Sequence, residues 1–291
     1  MSIRRFITAL LGAALMTSLT VAPAAAKRPL PSTPEVEPGL TPEQQAASDA
    51  KVAAAEAYAA QFAASGAGLA SLACISPQGA TEDGAVTPTA GCITPSGALS
   101  VTARDQVKGY YCGPAVGQVI ANYAWAMPSG ANKYSQATIA GWMGTDLKLS
   151  TSAGDLVYGL ERATAGAPRR PSTWAWVITQ LSDSDRDGAV GDQLHDYVRW
   201  NVTGSKMPLA FAVKPHDRNS RYHLSSWPKV VDSVGHWITG YGWYATWTNS
   251  DTPRIYYTDS SKDEGGSTGK YWDPTRHIAA LIMEHTQRFV W

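Results

Sequence analysis

The sequence predicts a mixed domain of helices and antiparallel strands that begins near Ser100 and runs to the end of the 291-residue chain. Apolar residues from Val116 to Met127 recur at helical spacing. Two β-rich runs, 235–241 and 255–260, flank a turn-forming Thr-Asn-Ser-Asp sequence, which predicts a hairpin. Hydrophobic residues make up 44% of the chain, enough for a core of this extent.

The charge balance excludes one class of partner. The 24 Lys and Arg residues equal the 24 Asp and Glu residues, so the formal net charge is zero. A protein that binds nucleic acid through its phosphates needs a basic surplus. We therefore expect no nucleic-acid partner.

The N-terminus has the pattern of a secretory signal peptide over residues 1–26. Two arginines precede an apolar stretch at 6–21, and small residues precede the expected cleavage site after Ala26. The alternative is a retained membrane anchor, but Gly, Thr and Ser residues dilute the apolar stretch. We therefore predict a secreted, extracellular protein with no stable membrane insertion after the signal is removed.

Three further segments are expected before the domain. Residues 27–40 are rich in Pro, which predicts an extended linker. In residues 41–70, Thr41 can cap and Pro42 can open an Ala-rich helix, which is a spacer, an arm or a pro-segment. Residues 71–100 are rich in Gly, Pro, Ser and Thr, which predicts a loop region.

The three cysteines are Cys74, Cys92 and Cys112. In an oxidising compartment we expect a disulfide between Cys74 and Cys92 within the loop region, which would stabilise the fold by about 3 kcal/mol. An odd cysteine in a secreted protein is an intermolecular partner or a reactive thiol. Cys112 is therefore a candidate site residue.

Cys112 lies at the predicted start of the helix. Pro114 fits the first turn of that helix, which places Cys112 where backbone N–H groups and the helix dipole favour a thiolate. The alternative is a small buried thiol that only packs. A cysteine at a helix start is suited to act as a nucleophile.

A thiolate nucleophile needs a base, and His236 and Asp259 lie on the two β-rich runs. Because their midpoint in the sequence falls at the edge of the turn, a simple antiparallel hairpin brings them nearly opposite each other. Asp259 can then orient the imidazole of His236 and stabilise its charged form. Gln106, six positions before Cys112, can supply a side-chain N–H to an oxyanion.

A Gln-x5-Cys-Gly-Pro motif at a helix start, a Gly-His-Trp-Ile run and a strand that ends in Asp occur together in residues 101–291. This combination resembles the C39-like branch of the papain-type cysteine peptidases. The resemblance implies an α+β, papain-like fold in which the helix that carries the nucleophile packs on an antiparallel sheet. It also implies four roles: Cys112 as nucleophile, His236 as base, Asp259 as orienter and Gln106 as oxyanion donor. Family members commonly have Pro after the Asp, where this chain has Ser260.

Two further motifs lie outside this set. Asp183, Asp185 and Asp187, followed by Gly, have the spacing of the first positions of a calcium-binding loop, and Asp192 lies near the end of that loop. The alternative is a solvated acidic turn, and no other cofactor is expected. Asp273-Pro274 predicts the N-cap and first turn of a structural helix near the end of the domain.

The expected function is hydrolysis of peptide bonds in a peptide or protein substrate. No transporter domain accompanies the motifs, so we expect a stand-alone enzyme. The same four residues would also serve a cysteine acyltransferase or a cell-wall amidase. The alternative from another class is a catalytically silent binding module at the cell surface.

Overall fold

The computed structural model describes residues 39–64, 96–147, 150–181, 189–232, 234–245, 252–261 and 265–291. Several predictions concern residues outside these ranges and stay predictions: the signal peptide, nearly all of the linker, the Cys74–Cys92 disulfide, and the calcium candidates Asp183, Asp185 and Asp187. Within the described ranges, no helix combines the length and the apolar character that crossing a bilayer requires.

In its described part, the chain forms a seven-stranded sheet with helices packed around it. The strands are β1 (Ser96–Ala98), β2 (Ile178–Gln180), β3 (Leu209–Val213), β4 (His236–Tyr244), β5 (Arg254–Asp259), β6 (Gly269–Pro274) and β7 (Arg288–Val290). Their order is β2-β7-β3-β4-β5-β6, and β1 pairs with the C-terminal end of β4. Each described strand pair is antiparallel, so the fold class is α+β.

The helices are α1 (Pro42–Ala64), α2 (Cys112–Ala124), α3 (Gln136–Met143), α4 (Ala153–Thr164), α5 (Ala189–Arg199) and α6 (Thr275–Met283), and a π-helical turn (Trp200–Gly204) follows α5. Helix α2 is buried from its second residue to its last, between α3 and α4 on one side and β4 on the other. It therefore forms the centre of the domain, and its first residue is Cys112.

Helix α1 begins where the capping residues predict. The hydroxyl of Thr41 accepts the backbone N–H of Gln44 at 3.2 Å, and the side chain of Gln44 accepts the backbone N–H of Thr41 at 2.9 Å. This reciprocal pair is a capping box, which satisfies two of the N–H groups that a helix start leaves open.

One stripe of α1 packs against the β2 edge of the sheet. Ser48 Oγ lies 2.7 Å from Thr179 Oγ1, and Lys51 Nζ donates to the backbone oxygen of Ala175 at 2.9 Å. The same ammonium lies 3.6 Å from the centroid of the Trp174 ring, which is a cation–π contact. Strand β2 lies at the opposite end of the strand order from β5 and β6, so α1 docks on the edge remote from those two strands.

The structure corrects the prediction for Asp273 and Pro274. Pro274 is the N-cap of α6, no side chain caps this helix, and Asp273 belongs to strand β6. The carboxylate of Asp273 instead accepts hydrogen bonds from Ser225 and Tyr257. A buried carboxylate gains more from three such donors than from an N-cap position, where one or two backbone N–H groups are within reach.

Candidate active site

Cys112 is a free, half-buried cysteine at the first position of α2. Tyr111 occupies the N-cap position, and among the described residues no side chain caps this end of the helix. The backbone N–H groups of the first turn therefore point into the space around the sulfur, where the helix dipole adds a partial positive charge.

Gly113 lets the start of α2 approach the segment before α4 closely. A Cβ on Gly113 would lie 2.3 Å from Oγ1 and 2.5 Å from Cβ of Thr151. The backbone oxygen of Thr151 in turn accepts the indole N–H of Trp237 at 2.9 Å, and Trp237 follows His236 on β4. Thr151 therefore links the residue after Cys112 to the residue after His236.

We expect Gly113→Ala to lower the free energy of unfolding by about 1–3 kcal/mol through overpacking. We also expect it to slow alkylation of Cys112 by iodoacetamide, because the new methyl group collides with Thr151 and so disturbs the start of α2, where Cys112 lies. The matched control is Gly141→Ala in α3, where an added Cβ meets nothing within 4 Å. Urea denaturation and alkylation rates measure both effects, and equal behaviour of the two variants would contradict the prediction.

His236 is the first residue of β4 and is 3% exposed. Its Nε2 lies 2.8 Å from Oδ1 of Asp259, and Cys112 lies near enough to the same imidazole to raise its pKa. Because Asp259 occupies Nε2, the nitrogen available to the sulfur is Nδ1. The structure thus brings together three of the four residues that the sequence singled out.

The contact between His236 and Asp259 was expected, but the register differs from that of a symmetric hairpin. Thr239 pairs with Thr258, and an irregularity between Gly240 and Gly242 shifts the register of β4 against β5. His236 therefore reaches Asp259 diagonally across the same face of the sheet, a distance that a long side chain can span.

Asp259 ends β5 and is 1% exposed, and its two carboxylate oxygens accept four hydrogen bonds. Oδ1 accepts from His236 and from the backbone N–H of Ser261 at 2.8 Å. Oδ2 accepts from the hydroxyl of Ser226 at 2.7 Å and from the indole N–H of Trp227 at 2.8 Å. This set of donors satisfies a buried charge fully.

Ser226 and Trp227 were not predicted from the sequence. They lie in an irregular segment more than 30 positions before Asp259, and neither periodicity nor a spacing rule connects them to the site. The ring of Trp227 is completely buried and its centroid lies 5.1 Å from that of His236. It therefore shields the bond between His236 and Asp259 from water in addition to donating to Asp259.

The electrostatics of the pair follow from this environment. Burial alone would lower the pKa of His236, but the charge and hydrogen bond of Asp259, together with those of Cys112, raise that pKa to about 10. Burial raises the pKa of Asp259, and the charge of His236 with hydrogen bonds from His236, Ser261 and Ser226 outweighs burial and lowers it. At neutral pH the site therefore holds an imidazolium next to a carboxylate.

Gln106 joins the loop before α2 to the end of β5. Its backbone N–H donates to the backbone oxygen of Ser260 at 2.9 Å, and the Ser260 hydroxyl lies 3.4 Å from its Oε1. Its amide nitrogen donates to the backbone oxygen of Gly109 at 3.0 Å. A side-chain amide has two N–H groups, and none of the described contacts uses the second one. That second N–H is what an oxyanion donor at this position requires.

The calcium prediction gains no further support from the described residues. Asp192 lies in the first turn of α5, and the other three candidates lie outside the described ranges. Among the described residues, no group of three His, Cys, Asp or Glu side chains is arranged to hold a metal ion.

Comparison with known proteins yields only remote likenesses, all of them to solved structures. No family model matches the chain. No curated protein matches it either. Among solved structures, a recombinant stem bromelain precursor matches with a TM-score of 0.39 and 12% sequence identity, over 66% of this chain and 66% of the bromelain precursor.

Proposed function

We propose that this chain is a papain-like cysteine peptidase of the C39-like type that hydrolyses peptide bonds. The observation that carries the proposal is the series of side chains at the start of α2: Cys112 lies beside the His236 imidazole, which is hydrogen-bonded to the Asp259 carboxylate. A thiol beside a charged imidazole that a third group orients is the arrangement of an activated cysteine nucleophile.

In the proposed reaction the proton of the Cys112 thiol is held by His236, and the Cys112 thiolate attacks the carbonyl carbon of a peptide bond. The carbonyl oxygen becomes an oxyanion, which accepts hydrogen bonds from the side-chain amide of Gln106 and from the backbone N–H of Cys112. His236 gives its proton to the leaving amine, and a thioester between Cys112 and the acyl group remains. Water then attacks the thioester, with His236 taking its proton as the base, and Cys112 leaves as the thiolate, which restores the thiolate and the imidazolium.

The proposal extends to the place of action. Residues 1–26 have the pattern of a signal peptide, and we propose that the enzyme acts outside the cell on peptide or protein substrates. Extracellular chemistry also suits the proposed disulfide between Cys74 and Cys92, which would leave Cys112 as the one free thiol.

Labelling with an electrophilic peptide probe tests the proposal, with intact-mass spectrometry as the readout. Wild-type protein is expected to gain one probe mass, Cys112→Ala to gain none, and His236→Ala to react much more slowly. The control is His223→Ala, which removes an exposed histidine and should label at the wild-type rate. An unlabelled wild type would favour a silent binding module, and labelled Cys112→Ala would assign the reactivity to Cys74 or Cys92.

Hydrolysis and acyl transfer are then separated by their products. A peptide substrate is incubated with the wild type and an added primary amine, and the products are identified by mass. Hydrolysis yields the free acid, and an acyltransferase yields the amide with the added amine. A cell-wall amidase would release acid from peptidoglycan fragments and leave linear peptides intact.

A further inference from the structure

The turn Ser225–Trp227 binds two buried carboxylates at once, and we refer to it as the donor turn. The backbone N–H and the hydroxyl of Ser225 donate to Asp273 at 2.9 and 2.6 Å. The next two residues donate to Asp259, through the hydroxyl of Ser226 at 2.7 Å and the indole of Trp227 at 2.8 Å. Whatever fixes Ser225 therefore also fixes the donors to Asp259.

Tyr257 connects the two carboxylates a second time. Its hydroxyl donates to Oδ2 of Asp273 at 2.7 Å, and its oxygen lies 3.3 Å from both the backbone nitrogen and the hydroxyl of Ser226. A hydroxyl has one hydrogen, so the proton of Tyr257 goes to Asp273 and the backbone N–H of Ser226 donates to the tyrosine oxygen. The hydroxyl proton of Ser226 is thereby directed to Asp259.

The four side chains at the centre of this network are buried: Tyr257, Ser226, Asp259 and Asp273. A carboxylate removed from water is tolerated only when donors satisfy it, and each donor lost from such a network costs more than it would at the surface. The backbone of the donor turn is also held, because Ser267 donates to the oxygen of Ser226 at 2.9 Å. The turn therefore has one well-defined position.

We propose that Asp273 is a positioning residue of the active site, acting through the donor turn on Asp259 and through Asp259 on His236. Its catalytic meaning rests on the proposed function of Cys112. The positional claim concerns the imidazole of His236, which can be observed without any substrate.

The titratable groups that surround His236 and Asp273 determine how a shift in the pKa of His236 is interpreted. His236 faces Cys112, Asp259 and His285; burial, with the charges of Lys214 and His236, lowers the pKa of His285 to about 4. His285 is therefore neutral throughout the range in which His236 titrates, which leaves Asp259 and Cys112 as the groups that shift the pKa of His236. Of these two, Asp259 is the one bonded to the donor turn. Asp273 faces His277, which is itself surrounded by Arg276, His223 and Arg221.

The test uses full-length protein with Asp273→Asn and Tyr257→Phe, each of which removes a single acceptor or donor from the network. The matched control is Tyr256→Phe, the same change on the same strand but on its opposite face. Histidine labelled with ¹⁵N gives the titration midpoint of His236 by NMR, and iodoacetamide gives the alkylation rate of Cys112 as a function of pH.

In Asp273→Asn and Tyr257→Phe we expect the midpoint of His236 to move down toward the ordinary value of a histidine. The alkylation rate of Cys112 should fall about tenfold, because the imidazole is no longer held in place. The alkaline limb of the pH–rate profile should move to lower pH together with the titration midpoint of His236. Tyr256→Phe should leave both unchanged. A variant with only a structural defect would lower the folded fraction without moving either midpoint.

An unchanged His236 midpoint in folded Asp273→Asn and Tyr257→Phe would overturn the positioning role. Should Asp273→Asn not fold, Tyr257→Phe decides, because it leaves the carboxylate and both Ser225 donors in place. The proposed function fails separately: wild-type Cys112 would then react no faster than a simple thiol, while the His236 titrations would still decide whether Asp273 positions the imidazole.

Discussion

Asp259→Ala should lower the free energy of unfolding by about 3–5 kcal/mol, because removal of one member of a buried ion pair leaves the other charge without compensation. The uncompensated group is the imidazolium of His236, and the donors Ser226, Trp227 and Ser261 lose their acceptor as well. The alkylation rate of Cys112 should fall in parallel, because nothing then orients His236.

Asp259→Asn refines the prediction by keeping the shape and removing the charge. In either orientation of the amide, its NH₂ group must face a donor: Trp227 on one side, or His236 and the Ser261 N–H on the other. One buried donor left unsatisfied costs about 1–3 kcal/mol, so this variant should lie between wild type and Asp259→Ala.

Urea denaturation at neutral pH measures these differences. The control is Asp232→Asn, which removes a carboxylate that pairs with the exposed side chain of Arg218. That change should have little effect, since water replaces the lost contact. Equal denaturation midpoints for Asp259→Ala and Asp232→Asn would show that the bonds to Asp259 do not stabilise the fold.

The features of the site that the sequence predicted are those set by local rules. The helix at Cys112 follows from apolar residues at helical spacing and from Pro114 in its first turn. The contact between His236 and Asp259 follows from two strands joined by a turn. Both depend on residues close in sequence or related by a simple hairpin, so neighbouring residues are enough to reveal them.

The register of β4 against β5 could not be predicted in this way. The shift occurs at Gly240, where a Cβ would lie 2.3 Å from the ring of Phe211 on β3. The ring of a residue almost thirty positions earlier thus covers the glycine. The irregularity thus lies beside a contact between sequence-distant strands, and the hairpin sequence alone contains no sign of that contact.

The donor turn escaped prediction for a related reason. Ser225, Ser226 and Trp227 have no regular secondary structure, and their partners Asp259 and Asp273 lie on two later strands. At Asp273 a local rule, Asp before Pro at a helix start, pointed to an N-cap. The tertiary contacts with Ser225 and Tyr257 override that rule, as they can wherever burial makes a carboxylate depend on several donors.

The free energy of unfolding should decline as the pH rises from about 6.5 to about 10, and His236 is the cause. Its pKa in the folded protein, about 10, lies above its ordinary value of 6.5, so the folded state binds the proton more tightly than the unfolded state. The resulting stabilisation is complete below pH 6.5 and disappears as the pH approaches the folded-state pKa. Its size is several kcal/mol.

Below neutral pH, two other histidines cause the free energy of unfolding to fall as the pH falls. Burial, with the charge of Arg199, lowers the pKa of His195 to about 4, and burial, with the charges of Lys214 and His236, does the same for His285. The unfolded state then binds more protons between about pH 4 and 6.5, so stability falls as the pH falls. Asp259, whose pKa is lowered, loses its contribution at still lower pH.

Together these groups predict maximal stability near neutral pH, with His236 responsible for the alkaline slope and His195 and His285 for the acid slope. Urea midpoints of wild type, His236→Gln and His285→Gln between pH 4 and 10 separate them. His236→Gln should flatten the alkaline slope, and His285→Gln should flatten the acid slope alone. Lys and Tyr titrations are common to all three proteins and cancel in the differences. Parallel curves for wild type and His236→Gln above pH 6.5 would mean that Asp259 does not hold a charged imidazole in the folded protein.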